Sequence, residues 1–397
     1  MKPKNTRGAE LSLNVLNLGF RVFFLGAAIY SALAAFIWML FYLFGLPSKP
    51  YDSSPVIWHA HEMIYGYGMA VVTGFLLTAS RNWSGIQTLN GSGLGLLFLA
   101  WAMARLFALL PADVSYLAAG FDLVFCLGAS VAVAYPVVRA RLWRNLGVVA
   151  ILFAITCSNL IFYLGLENKS DNLIRLGIYG GFWLILTLVL LMARRVFPMF
   201  IQNGVDYPVK LSNSLWLDRA CLGLFLLFWI VDLSGVSKEA SGLLAAVLFV
   251  LHFMRWKNWY TPGIWQKPLL WVLYLAYGFI LLGFALKASE FYFDISPFLA
   301  LHCFTLGGIG LVTIGMMARV ALGHTGRSVK EPPSILFWIF TLITISAVIR
   351  VIGPILDPSH YIWWMGGSLT MWIIGFSSFA VVYAPMLISQ RADGQPG

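Results

Sequence analysis

Charge is what this sequence has least of. Only 11% of its 397 residues are Asp, Glu, Lys or Arg, against roughly 25% in a soluble domain. That shortage excludes both a soluble globular enzyme and a disordered chain. Cysteine is scarce as well. Cys126, Cys157, Cys221 and Cys303 are scattered, with no CxxC pair, which argues against a disulfide framework and a cysteine zinc site. The motifs GxxxxGK[ST], HExxH, GxSxG and C-x-x-C-H are all missing, which removes the nucleotide, zinc, acyl-transfer and covalent-attachment chemistry those patterns mark. The ten-residue apolar/polar alternation that a membrane β-barrel needs is missing too.

What the chain has is apolar length. Hydrophobic residues make up 60% of it, and the mean hydropathy is +0.82. The apolar runs approach 20 residues, the length that crosses about 30 Å of hydrocarbon as helix. In lipid the backbone must satisfy its own polar groups, which leaves helices once barrels are excluded. The expected fold is therefore all-α: a polytopic integral membrane protein with twelve transmembrane helices in one transmembrane domain spanning residues 1–397. The expected spans are 20–46, 59–79, 91–110, 113–135, 145–165, 173–193, 215–235, 239–254, 268–286, 297–321, 334–353 and 362–388. The longest expected loop is 194–214. Lys2, Lys4 and Arg7 precede a first apolar run that is too long for a signal-peptide core, and it reads as an uncleaved span.

The net charge of +10 would suggest nucleic acid as the partner of a soluble protein. Here it belongs to loops flanking spans, and no nucleic acid is expected. Counting Lys and Arg by side of the membrane gives 18 on the N-terminal side and 6 on the other, with Arg105 and Arg219 inside spans. That bias predicts both termini in the cytoplasm.

The chain has six histidines. His59 and His61 open span 2, His302 opens span 10, and His360 lies between spans 11 and 12. These four fall on or just below the predicted outer face. His252 and His324 lie toward the other side. His302 and His324 are about 33 Å apart along a helix and cannot share a ligand. Ionisable residues inside spans are costly and mark function by default. Two histidines and Glu62 within four residues of an apolar helix suggest a metal or haem role for His59 or His61. His302, on a second helix at matching depth, is what bis-histidine haem ligation requires. His61 and His302 are each followed by Gly at +5 and +13, a weak internal echo. Those glycines could leave flat faces for a porphyrin or simply let helices approach closely. Arg350, at the outer end of span 11, suits a haem propionate. Arg105 with Asp122, and Asp218 with Arg219, read as structural ion pairs. The turn holding Arg319, His324 and Arg327 reads as a positive loop able to bind an anion or a second metal.

These residues resemble a known family. Trp58-His59-Ala60-His61-Glu62-Met63 with Gly74–Ala79 and Asn82–Gly85, Arg194–Phe200, and Met317–Val320 with Leu322–Arg327 are similar to signature segments of the NnrS family. The resemblance implies a bacterial inner-membrane protein carrying haem b and copper, produced in response to nitric oxide and linked to nitrosative-stress resistance. It implies nitric oxide as ligand or substrate, a quinol or small carrier as electron donor, and a haem-dependent oxidoreductase as one form the activity could take. A more distant resemblance is to the catalytic subunit of haem-copper oxidases and nitric oxide reductases, whose low-spin haem ligands match His61 and His302. That subunit's copper histidines lie on spans 6 and 7, where this chain has none, and Ala300 stands where it carries a further haem ligand. His61 and His302 are thus the expected axial ligands, with His59 the alternative on span 2. His59 and His360 are the copper candidates. A transporter and a non-catalytic sensor remain as alternative functions.

Overall fold

The computed structural model describes residues 14–46, 54–110, 115–293 and 295–395. The expected positions Lys2, Lys4 and Arg7, and most of the loop after the first span, lie outside the described residues. Every described element is helical. The twelve long helices are α1 (Gly19–Tyr42), α2 (Pro55–Ser84), α3 (Gly91–Phe107), α4 (Ser115–Arg139), α5 (Leu146–Glu167), α6 (Asp171–Gly204), α7 (Leu215–Ser234), α8 (Lys238–Asn258), α9 (Pro268–Phe293), α10 (Pro297–His324), α11 (Ile335–Leu356) and α12 (Tyr361–Ile388). Each expected span coincides with one of them. Ten of the helical stretches are long and apolar enough to cross a membrane. The other two fall short for different reasons. Helix α3 has 17 residues, and α7 carries Asp218, Arg219 and Asp232.

Local chemistry explains the helix ends. Ser54, Ser214 and Ser237 cap α2, α7 and α8 by accepting from backbone amides two or three residues on. Pro55 and Pro297 occupy first-turn positions, where the missing N–H costs nothing. Gly85 and Gly235 close α2 and α7 with φ of 70° and 66°, a left-handed turn that a side chain would oppose. One expectation fails here. Residues 194–204 are not loop: α6 runs through Pro198 to Gly204. Proline removes one backbone bond, which an apolar helix packed among neighbours tolerates.

Helices α2 and α10 share an unusual plan. Each begins as a short α-helix ending at a histidine, His61 or His302, and then widens into a π-helix over Glu62–Gly68 or Cys303–Gly310. Within the first, the Met69 amide bonds back to Ile64, five residues earlier. Both then resume α geometry. π-Helices are rare and concentrate at functional sites.

The chain divides into two compact units. One comprises residues 1–185, 317–328 and 376–397, and the other 186–316 and 329–375. In the first, helices approach over glycine. A Cβ on Gly177 of α6 would lie 2.6 Å from the backbone of Phe162 on α5, whereas one on Gly120 of α4 would meet nothing within 4 Å. Gly177→Ala should therefore cost about 1–3 kcal/mol by overpacking. Gly120→Ala should be neutral or slightly stabilising. Paired thermal melts of the purified variants check both outcomes.

Candidate functional site

The first unit holds a sealed cluster of ionisable side chains. His61 and Glu62 come from α2, Arg105 from α3, Asp122 from α4 and Asn159 from α5. All but Arg105 are fully buried, and Arg105 is 4% exposed. Arg105 donates Nη1 to Glu62 Oε2 at 3.0 Å and Nη2 to Asp122 Oδ1. Tyr30 of α1 donates to the same Glu62 oxygen. Asn159 Nδ2 and the Tyr163 hydroxyl donate to Asp122 Oδ2 at 2.8 and 3.1 Å. Gly66 makes this approach possible, because a Cβ there would sit under 3 Å from Tyr30, Arg105 and Glu62.

The donors and acceptors define what His61 does. Asp122 can only accept, so Asn159 must turn its Nδ2 to Asp122 and its Oδ1 elsewhere. That oxygen faces His61 Nε2 at 3.0 Å, and Glu62 Oε1 faces His61 Nδ1 at 2.9 Å. Both ring nitrogens thus face side-chain oxygens within hydrogen-bond distance. The ring is also held by stacking on Phe162, 4.2 Å between centroids. Two carboxylates and one guanidinium thus meet beside an imidazole in a dry interior, where each ion alone would cost several kcal/mol.

The remaining expected site residues lie elsewhere. His59 stacks on Trp38 of α1 at 4.6 Å. His302 directs Nδ1 to the Phe298 carbonyl at 2.6 Å, which leaves Nε2 as its lone-pair nitrogen. His360 sits in the exposed turn before α12, with Nδ1 2.6 Å from Asp357. The Ser359 hydroxyl and His360 beside it hold the Asp357 carboxyl below its ordinary range. Arg350 is buried, donates to the Tyr361 hydroxyl at 2.8 Å and covers that ring. His61 and His59 belong to the first unit, and His302, Arg350 and His360 to the second.

Tested against the cofactors that the resemblance implies, these residues divide. His302 has the anchoring that haem-ligating histidines use, a backbone bond at Nδ1 that fixes the ring. His360 has the same arrangement with a carboxylate. His61 does not fit as it stands, because Glu62 and Asn159 occupy both of its ring nitrogens. Among the described residues, no group of three or more His, Cys, Asp or Glu could hold a metal ion. The expected flat glycine faces are filled by side chains. Phe279 lies over Gly307, Ile280 over Gly308 and Trp372 over Gly310.

Near the end of α10, His324 lies 3.4 Å from Asn82 and against the ring of Phe20. The C-terminal segment clasps this turn: Ala392 N–H donates to Thr325 O, and Arg391 donates to His324 O. Arg327 donates to Thr325 O at 3.3 Å, while Arg319 is half-buried on the same helix end. Arg391 also pairs with Asp393, holding that carboxyl at about 2.

The Arg105–Asp122 pair is as expected, but the sequence reading missed that Asn159, Tyr163, Tyr30, Glu62 and His61 join it. A lone amide in the apolar run of span 5 was the available signal. The expected Asp218–Arg219 pair does not form. Asp218 instead takes Arg194 at 3.0 Å and Arg255 at 2.8 Å, since neighbours on a helix point about 100° apart.

A bundle of apolar helices enclosing an ion cluster defines a polytopic helical membrane protein with charged groups in its core. The profile of one family, described as NnrS protein, matches residues 14–391. The chain belongs to the NnrS family. No curated protein matches it significantly.

Two outcomes follow. Arg105→Met leaves two buried carboxylates short of a partner and should cost about 3–5 kcal/mol. A thermal melt in detergent reads this, and an unchanged midpoint would refute the cluster. The Asp393 carboxyl titrates below its unfolded value near 4, so its share of the clasp is present above about pH 4 and is lost as pH falls toward 2. Amide exchange at Ala392, corrected for intrinsic rate, should accelerate across that window.

Proposed function

We propose that this chain is a haem- and copper-binding protein of the nitric oxide response, twelve-spanning, with both termini in the cytoplasm and His59, His61, His302 and His360 near the outer face of a bacterial inner membrane. The observation that carries the reading is the shared plan of α2 and α10. Each turns into a π-helix immediately after a histidine, and those are the two histidines expected to ligate haem. Family membership supports the same reading.

His302 is the axial ligand on which this reading rests. On α2 the second ligand is His59 or His61, and His61 serves only by giving up its bond to Asn159 or Glu62. Arg350 is the group for a propionate. His59 and His360 are the residues for copper. Haem, when bound, would supply an iron for nitric oxide, a small apolar molecule that concentrates in lipid and needs no polar channel; with two histidines on the iron, one of them must be labile or the gas meets a second metal. Electrons for any conversion come from a quinol or a small carrier. A transporter is the weaker reading, because α2 and α10 continue unbroken through their π-helices, whereas transporter sites use unwound segments.

His302→Ala should lose the Soret band of the purified protein, and full retention of haem would overturn the assignment. Comparing His59→Ala with His61→Ala identifies the α2 ligand. Nitric oxide added anaerobically to the reduced wild type should shift the haem spectrum. Loss of nitric oxide alongside that shift marks turnover, and a shift alone marks a sensor or sink. A reporter fused after Trp58 should map outside; a cytoplasmic signal would refute the topology.

A further inference from the structure

The second unit contains a small cavity between α6, α7 and α8 that the haem reading leaves unused. Its volume is about 10 Å³, room for one water-sized guest. Arg194, Asp218, Cys221, Phe225, His252 and Arg255 are among its lining. Two buried donors in that lining have no acceptor in the protein: His252 Nε2 and Arg194 Nε. Orphaned buried donors are rare, and each calls for an explanation, an ion or a water being the usual one.

The proton on His252 can be placed. Arg255 Nη1 donates to the Tyr277 oxygen at 3.2 Å. The Tyr277 hydroxyl lies 2.5 Å from His252 Nδ1. Tyr277 is fully buried, and its one proton has Nδ1 as its acceptor. The imidazole's own proton is then on Nε2. Tyr277 is not part of the lining, so the ring offers the cavity its N–H edge. His252 is 1% exposed and stacked on Phe284 at 5.4 Å, which holds that edge in place.

Charge gives the sign of the guest. Arg194 and Arg255 share one carboxylate, Asp218. Two guanidiniums against one carboxylate leave a positive excess beside two N–H donors. The other walls are apolar or thiol, which favours a weakly hydrated anion over a strongly hydrated one. The limited room favours a monatomic anion over a polyatomic oxyanion such as phosphate. We infer that this cavity binds a single halide-class anion, with chloride as the physiological member, held by His252 Nε2–H and Arg194 Nε–H. Its role is to neutralise the Arg194–Arg255 pair and to tie α6, α7 and α8 together.

The test is a thermal melt of the full purified chain in chloride, bromide or gluconate at constant ionic strength. A saturable rise in melting temperature with chloride and bromide is expected for the wild type, as for any ligand that binds only the folded state. His252→Phe keeps the ring on Phe284 and removes the donor. Arg194→Lys keeps the Asp218 ion pair and removes Nε, and it carries the test if the first variant does not fold. In each, loss of a charge-assisted hydrogen bond should raise the half-saturating concentration about tenfold or more. Bromide in crystals should give an anomalous peak beside His252 Nε2. Equal melting in chloride and gluconate would mean that a water fills the cavity, and the proposal fails. Equal stabilisation of wild type and variants would be a general salt effect and would overturn it too. Neither result bears on haem binding, which is read separately from the Soret band.

Discussion

Charges that cannot reach water must find one another, and the first unit is arranged around that constraint. His61, Glu62, Arg105 and Asp122 come from three helices and meet where side-chain exposure is 4% or less. In such a place an unpaired ion costs far more than a surface salt bridge returns. The helices carrying these residues are therefore held in one register: sliding α3 by one residue would swing Arg105 away from both carboxylates. Asn159 and Tyr163 complete Asp122, and Tyr30 completes Glu62, so helices α1 to α5 all contribute. Apolar packing alone is tolerant of small shifts; this network is not.

The same local device leads to different outcomes in the two units. His61 and His302 each end a short α-helix, and each is followed by a π-helix and a run of glycine. In the first unit the histidine is drawn into the ion cluster, with both ring nitrogens facing side-chain oxygens. In the second its Nδ1 bonds a backbone carbonyl. What separates them is the neighbouring residue, Glu62 in one case and Cys303 in the other, together with the Asp122–Asn159 pair that only the first unit supplies. The two histidines thus share a backbone design but not their hydrogen-bond partners.

The second unit solves its charge problem less completely. Asp218 serves two arginines, and two donors lining the adjacent cavity lack protein partners. The contrast with the sealed cluster of the first unit is one of stoichiometry. There, two carboxylates share one guanidinium and each of their oxygens has a partner. Here, one carboxylate serves two guanidiniums, and that positive excess is what makes the cavity a candidate for a guest rather than a structural joint.

Helix number and approximate ends were readable because hydrophobic length is a local property. The twelve expected segments each coincide with a helix; several run a few residues past their expected ends, and α6 runs furthest, through Pro198 to Gly204. The Arg105–Asp122 pair was readable because so few ionisable residues lie inside the spans. Partner choice was not. Arg219 adjoins Asp218 in sequence, yet Arg194 and Arg255 take it, because direction around a helix decides contact. His59 and His61 look equivalent in the sequence, but one stacks on Trp38 and the other enters the ion cluster. His252 and Tyr277 are 25 residues apart on different helices, and nothing local links them. Composition and apolar periodicity alone determined that this chain is a bundle of membrane-type helices. Tertiary structure decided which polar groups share an interior and which nitrogen of each histidine is left to act, since hydrogen-bond stoichiometry exists only once the helices are packed.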